Sequence, residues 1–174
     1  YITGAQVFCG RRFSVDARVL IPRGETEELV DRVLRENAMR TARVLDVGTG
    51  SGAIAVSLAL ARPAWKVEAL DVSPDALALA RENARRLGAE VEFRQVDILQ
   101  EDAWTALGTY DVVVSNPPYV RESERAQMHD NVRRYEPPLA LFVPDEDPLR
   151  FYRAIGRFAL AGLAAGGRLY FEIN

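Results

Sequence analysis

The sequence predicts an α/β fold built on a doubly wound, mostly parallel sheet. Three observations carry this. Short runs of β-forming residues recur at 43–47, 66–70, 91–96 and 110–115. Stretches with helical spacing lie between them, and strands alternating with helices mark β-α-β units. Glycine-rich or polar residues stand at four of the strand ends, where an open α/β sheet places its ligand.

The elements follow in order. Residues 7–20 alternate loosely about a turn at Gly10-Arg11-Arg12, with Phe13, Val15, Val19 and Ile21 as β-formers. This predicts an N-terminal β-hairpin or two short strands. Pro22-Arg23-Gly24 breaks the pattern, and Thr26 is expected to cap a helix with Leu29, Val30, Val33 and Leu34 on one face. Strand 43–47 runs into Gly48-Thr49-Gly50-Ser51-Gly52 and an apolar helix over 53–61, which Pro63 ends. Strand 66–70 finishes at Asp71. Ser73 is then a good N-cap, Pro74 a good first helical residue and Gly88 a C-terminal stop, with Leu77, Ala80, Ala84 and Leu87 at helical spacing between them.

Strand 91–96 finishes at Asp97. A short helix around 102–107 leads to strand 110–115, which stops at Asn116-Pro117-Pro118-Tyr119. Residues 120–145 are polar and proline-punctuated, so a long loop with one helix near 122–130 is expected, and loops of that length serve as lids or binding loops. Asp147-Pro148 opens a helix with Leu149, Tyr152, Ile155, Phe158 and Leu163 as its apolar stripe. Gly166-Gly167 closes it, and 168–173 is a fifth strand.

Composition bounds the function. A chain of 174 residues fits one ordinary domain, and 48% hydrophobic with 27% charged residues excludes wholesale disorder, collagen and a coiled coil. With one cysteine, Cys9, no intrachain disulfide can form, and a reducing, cytoplasmic setting is expected. One cysteine and one histidine, His129, do not make a zinc cage, so no metal is expected. The net charge of −3 argues against a chain that clamps nucleic acid unaided. Lys66 is the single lysine among 22 basic residues, which reads as genome composition rather than phosphate recognition. No apolar run approaches the roughly 20 residues of a membrane span. A monomer is expected. The chain begins at Tyr1 and ends on a strand-like run, so both ends read as cut. The expected division is a hairpin and linker over 1–24 and a catalytic domain over 25–174.

The chemistry lies at the strand ends. The turn holding Gly48, Gly50 and Gly52 lets backbone approach a ligand closely. The same stretch satisfies G-x-G-x-x-G/A through Gly48, Gly50 and Ala53, so a dinucleotide site and an S-adenosylmethionine site both stay open. Asp71 can accept bonds from two ribose hydroxyls, or can serve only as a charge ahead of the Ser73 cap. Asp97 can take an adenine amino group, or can sit in a solvated loop. In Asn116-Pro117-Pro118-Tyr119 two prolines remove two backbone donors and stiffen the turn. An amide or amino nitrogen needs acceptors, and the Asn116 side-chain oxygen and the Pro117 carbonyl supply two. Tyr119 can lay its ring against a flat substrate group. His129 reads as a surface residue and Cys9 as a packed apolar filler.

Gly48-Thr49-Gly50-Ser51-Gly52 with Asp71 resembles the S-adenosylmethionine site of class I methyltransferases, and Asn116-Pro117-Pro118-Tyr119 resembles the signature of those that methylate planar nitrogens. Tyr1-Ile2-Thr3-Gly4, Phe8, Gly10, Phe13, Val15 and Val19-Leu20-Ile21-Pro22-Arg23, followed by Glu25-Thr26-Glu27, narrow the likeness to the HemK-type protein-(glutamine-N5) methyltransferases. Tyr135-Glu136-Pro137, Leu139-Ala140-Leu141 and Phe151-Tyr152-Arg153 fit the same family, which usually has proline where this chain has Gly24.

The resemblance implies a Rossmann-like class I methyltransferase fold whose sheet continues past the fifth strand, and a helical N-terminal domain that helps dock the substrate. It implies S-adenosylmethionine at Gly48, Thr49, Gly50, Gly52, Asp71, Val72, Asp97, Ile98 and Asn116. Substrate would meet Arg23 and Asn116 to Tyr119, with Asn116, Pro117 and Tyr119 as the catalytic group. The implied reaction is methylation of a glutamine amide in the Gly-Gly-Gln motif of peptide chain release factors, without a strong general base. Other readings stay open: a ribosomal-protein glutamine or a nucleic-acid base as acceptor, or a cofactor-binding module that turns nothing over alone. A nicotinamide dehydrogenase fits the glycines but leaves Asn116 to Tyr119 unexplained.

Overall fold

The computed structural model describes residues 4–127 and 136–173. The chain opens with an antiparallel hairpin, β1 (Ala5–Phe8) and β2 (Arg11–Ser14). Its turn is Cys9-Gly10, both with positive φ (47° and 71°), one residue earlier than the expected Gly10-Arg11-Arg12. Two such residues match the right-handed twist of the strands they join. Phe8 and Phe13 pack edge to face at 6.0 Å and are fully buried. No strand forms over 15–21. Val15 and Val19 instead pack on Ala76 and Leu79, so their apolar character serves docking rather than pairing.

Helix α1 is Gly24–Glu36, so the expected division between residues 24 and 25 falls inside its first turn. There follow β3 (Arg43–Val47), α2 (Ala53–Ala61), β4 (Lys66–Asp71), α3 (Pro74–Leu87), β5 (Val91–Gln95) and β6 (Tyr110–Ser115). Ser73 caps α3, its Oγ accepting the Ala76 N–H at 3.2 Å, and Gly88 ends it at φ 74°. The expected helix around 102–107 is a 3-10 turn, Glu101–Ala106.

The long loop is more structured than expected. It carries a two-residue parallel pair, β7 (Val120–Arg121) with β8 (Phe142–Val143), and 3-10 turns at Glu122–Gln127 and Pro138–Ala140. His129, Tyr135 and the rest of the helix expected near 122–130 lie outside the described residues, as do Tyr1, Ile2 and Thr3.

Helix α4 (Arg150–Gly162) starts later than Asp147-Pro148 predicts. Leu149 is its N-cap and stays 56% exposed, outside the buried stripe of Ile155 and Phe158. The helix also stops earlier, at Gly162, and β9 (Leu163–Phe171) begins at once. Gly166 at φ 77° accompanies a shift in register: Leu163 pairs with Tyr110, yet Arg168 pairs with Val112. The glycine pair thus forms a bulge inside the strand rather than a helix stop.

The five strands run parallel in the order β5-β4-β3-β6-β9. The chain leaves β3 toward one edge and returns to its other side at β6, so the order reverses between β3 and β6. Ligands of open α/β sheets bind at such a reversal. Alternate residues of β3 and β6 serve opposite cores. Val44, Val112 and Val114 face the cluster that includes Val30, Val33 and Leu58 of α1 and α2. Leu45, Val47 and Val113 face Ile155 and Phe158 of α4.

Candidate active site

The carboxyl ends of β3, β4, β5 and β6 open into one cavity of about 140 Å³. Gly48 and Gly50, Asp71 and Val72, Asp97 and Ile98, and Asn116 to Pro118 all line it. Four segments far apart in sequence are therefore brought to one rim. Thr49 and Gly52 do not line it, nor do Arg23 and Tyr119.

The glycine turn explains that split. Gly48, Gly50 and Gly52 have φ of 75°, 54° and 81°, a region that favours glycine. Leu70 carbonyl accepts from the N–H groups of Gly48 (2.9 Å) and Thr49 (2.8 Å), which lashes the turn to the end of β4. A Cβ at Gly48 or Gly50 would meet nothing within 4 Å, so these two present bare backbone to open space. A Cβ at Gly52 would lie 3.2 Å from that of Ala80. Gly52 thus lets α2 and α3 approach each other. Thr49 points inward, its hydroxyl donating to Asp46 Oδ2 at 2.6 Å.

Asp46 is fully buried in β3. Its Oδ2 also accepts the Ala55 N–H at 3.2 Å, and its Oδ1 has no partner among the described residues. Burial pushes its carboxyl up to about 7, against the lowering effect of the Thr49 and Ala55 bonds. The charge inside the otherwise apolar run Val44-Leu45-Asp46-Val47 was the available signal, since unpaired Asp is almost never fully buried.

Asp71 ends β4 with both oxygens engaged. Oδ2 accepts the Gly50 N–H and Oδ1 the Ser73 N–H, each at 2.9 Å. The carboxylate ties the glycine turn to the cap of α3 and has lone pairs left on the cavity side. Burial raises its pKa, and the backbone bonds oppose that. Asp97 is held by a local turn, accepting from the Leu99 N–H at 2.9 Å and Gln100 Nε2 at 3.3 Å.

Asn116 follows Ser115, which is locked on both sides. Its hydroxyl donates to Val47 carbonyl at 2.7 Å, and its carbonyl accepts the Glu172 N–H at 3.0 Å. Asn116 Nδ2 donates to Thr26 Oγ1 at 3.3 Å. No hydrogen bond joins Asn116 Oδ1 among the described residues. Thr26 was expected as a helix cap, but Arg23 is the N-cap of α1 and no side chain bonds there. Thr26 lies inside the first turn, buried, and its hydroxyl serves Asn116 instead.

Arg23 pairs with Glu136, NH2 to Oε1 at 2.6 Å, which joins the entry to α1 to the loop before Pro137 and Leu139 of the cavity wall. Burial raises the Glu136 carboxyl, and Arg23 opposes the shift. Burial also raises the Tyr119 phenol, with the Glu172 charge adding to it. Sequence reasoning missed much of the remaining wall, including Arg18, Val19 and Leu20 from the N-terminal segment and Phe151 and Ile155 from α4. The apolar character of Val19, Leu20, Phe151 and Ile155 reads as core in the sequence, and only the fold turns these residues toward the cavity.

The methyltransferase small domain model matches residues 2–133, most of the chain. This chain belongs to the methyltransferase small domain family. Among its family relatives, a release factor glutamine methyltransferase of Bacteroides thetaiotaomicron is 54% identical over all 174 residues of this chain, which covers 62% of that protein. One of the same name from Lactococcus lactis is 46% identical over 100% of this chain and 63% of its own length. The chain therefore spans about three fifths of the curated relatives it matches. These matches bear out the HemK-type resemblance read from the motifs. Among solved structures, TrmN from Thermus thermophilus aligns with TM-score 0.59 and 28% identity over 80% of this chain and 36% of its own. The ribosomal protein L11 methylase of Lactobacillus delbrueckii aligns with TM-score 0.56 and 20% identity over 86% of this chain and 60% of its own, a likeness of fold.

Proposed function

We propose that this methyltransferase transfers a methyl group from S-adenosylmethionine to the side-chain amide nitrogen of the glutamine in the Gly-Gly-Gln motif of peptide chain release factors. Asn116 carries the reading. It stands at the cavity with Oδ1 uncommitted among the described residues, its Nδ2 held by Thr26, and prolines on the two positions after it. The names of the relatives matched over the whole of this chain support the substrate class.

The cavity suits the cofactor. Gly48 and Gly50 form a cradle without side chains, and Asp71 offers lone pairs to ribose hydroxyls beside Val72. Ile98 adds an apolar wall and Asp97 an acceptor near it. When bound, S-adenosylmethionine supplies an activated methyl carbon on a sulfonium sulfur.

The chain's own task is to present the nucleophile. An amide nitrogen is poor because its lone pair is delocalised. With its two N–H groups given to Asn116 Oδ1 and the Pro117 carbonyl, the nitrogen is held at one angle and distance. Pro117 and Pro118 add no competing N–H. Such positioning can supply roughly 7–11 kcal/mol in favourable cases. The proton leaves the nitrogen after transfer, so no strong base is required. Tyr119 and Arg23 belong to the substrate side of this reading. A release factor as partner supports a cytoplasmic setting.

Mass spectrometry of a release factor incubated with this protein and S-adenosylmethionine tests the proposal. The expected result is one added methyl on the Gly-Gly-Gln glutamine. Methylation of an RNA base in place of the glutamine would contradict it.

A further inference from the structure

Asparagine has a side chain with two ends of opposite polarity and nearly equal shape. Only one end serves the reaction proposed above, since the oxygen must face the N–H groups of the incoming amide. Turned over, Asn116 would present donors to donors and repel the substrate. The terminal torsion of Asn has a broad, roughly two-fold preference, so the side chain alone does not choose. Backbone near it cannot choose either. An Asn oxygen commonly turns back to the N–H two residues on, but position 118 is proline and so is 117. The oxygen is thereby kept from a local bond, and the amide is left without a local restraint.

The restraint comes from 90 residues earlier in the chain, where Thr26 Oγ1 accepts the N–H of Asn116 Nδ2 at 3.3 Å. Thr26 is buried, and no cap bond at the start of α1 occupies its hydroxyl. A β-branched side chain in a helix keeps few rotamers, so the Thr26 hydroxyl stands at a fixed place and offers its lone pairs to Asn116 Nδ2 there. Ser115 is fixed between β3 and β9, so Asn116 starts from a rigid point.

We propose that Thr26 is a positioning residue for methyl transfer: by holding Asn116 Nδ2 it turns Asn116 Oδ1 toward the substrate amide. This rests on the role given to Asn116 above. Thr26 does not line the cavity, so its effect runs through Asn116.

The test compares Thr26→Val, which keeps the shape and loses the hydroxyl, with Thr26→Ser, which keeps the hydroxyl. Thr26→Cys, a weak acceptor, stands between them, and Asn116→Ala is the reference. Two readouts are taken: kcat with intact release factor, and hydrogen exchange of the Asn116 side-chain amide by NMR. The second needs no turnover. The expected result is a fall in kcat of about tenfold or more for Thr26→Val, at unchanged cofactor Kd, with faster exchange at the Asn116 amide. Thr26→Ser should stay within about threefold of the parent, Thr26→Cys should fall between, and Thr26→Val should add nothing to Asn116→Ala.

Should Thr26→Val not fold, the ranking of Ser above Cys carries the test. Equal kcat across the three variants beside an inactive Asn116→Ala overturns the proposal and leaves the role of Asn116 standing. So does unchanged amide exchange in Thr26→Val, or a Thr26→Ser variant as impaired as Thr26→Val. Turnover retained in Asn116→Ala removes the role of Asn116, and the proposal with it.

Discussion

Asp46 lies within β3 and Asp71 ends the neighbouring β4, and they meet opposite fates. Asp71 spends its carboxylate on the Gly50 and Ser73 N–H groups and still faces the cavity. Its replacement by Ala should weaken S-adenosylmethionine binding about tenfold or more in calorimetry, since the proposed site would lose an acceptor for two ribose hydroxyls. Unchanged affinity would move the ribose elsewhere. Asp46 is sealed beneath the turn, its ordinary value of 3.8 pushed up to about 7 by burial. Between those values the folded chain holds a proton that the unfolded chain has released. The contribution of Asp46 to stability is therefore present in full below about pH 4 and is lost as pH rises to about 7. Relative to Asp46→Asn, the parent should lose up to about 4 kcal/mol over that window in urea titrations. Parallel pH curves would contradict this. Asp71 and Asn116 were readable in the sequence because each is polar at the end of an apolar run. Thr26 was not, because a threonine near a helix start looks the same whether it caps or reaches a distant partner.

At the scale of elements, the turn between β3 and α2 uses its glycines for different ends. Gly50 leaves open space, whereas Gly52 sits against Ala80. Both have positive φ, so either Ala substitution carries roughly 1–2 kcal/mol of backbone strain. Gly52→Ala adds the contact at 3.2 Å and should be clearly the less stable of the two in urea unfolding. Gly50→Ala should instead show its larger effect on cofactor affinity. Equal losses would mean that the α2–α3 approach gives way at no cost. The sequence marked both glycines alike, because their spacing reports turn geometry and not what lies opposite. The same limit explains α4 and β9. Gly166-Gly167 reads as a helix stop, but the helix ends at Gly162, where a Cβ would lie 2.6 Å from the Phe158 ring. The pairing of Leu163 with Tyr110 then draws the following residues into the sheet. Such close approaches are tertiary and leave no local pattern.

At the scale of the whole molecule, the parallel sheet and the shared rim could be read in advance, because strands alternate with helices and the chemistry stands at strand ends; the strand order could not. Nor could the tie between the N-terminal hairpin and the rest. It runs through Asn83 of α3, fully buried, which accepts the Ser14 N–H at 2.8 Å and donates to the Ser14 and Ser51 carbonyls, both at 3.0 Å. One side chain thereby joins hairpin, helix and glycine turn. Asn83→Ala leaves three backbone groups short of partners and should cost roughly 3 kcal/mol, read by urea unfolding. Exchange at the Ser14 amide should quicken as well. A loss below about 0.5 kcal/mol would show that Asn83 is not what holds the hairpin.

In the proposed reaction the end of β6 presents an amide nitrogen to a cofactor held by the ends of β3 and β4. Asn116→Ala separates the two functions, with cofactor Kd measured by calorimetry and methyl transfer to a release factor by single-turnover kinetics. Transfer should slow by about a hundredfold or more, with Kd within about threefold of the parent. Transfer within a few-fold of the parent, at the same Kd, would contradict it.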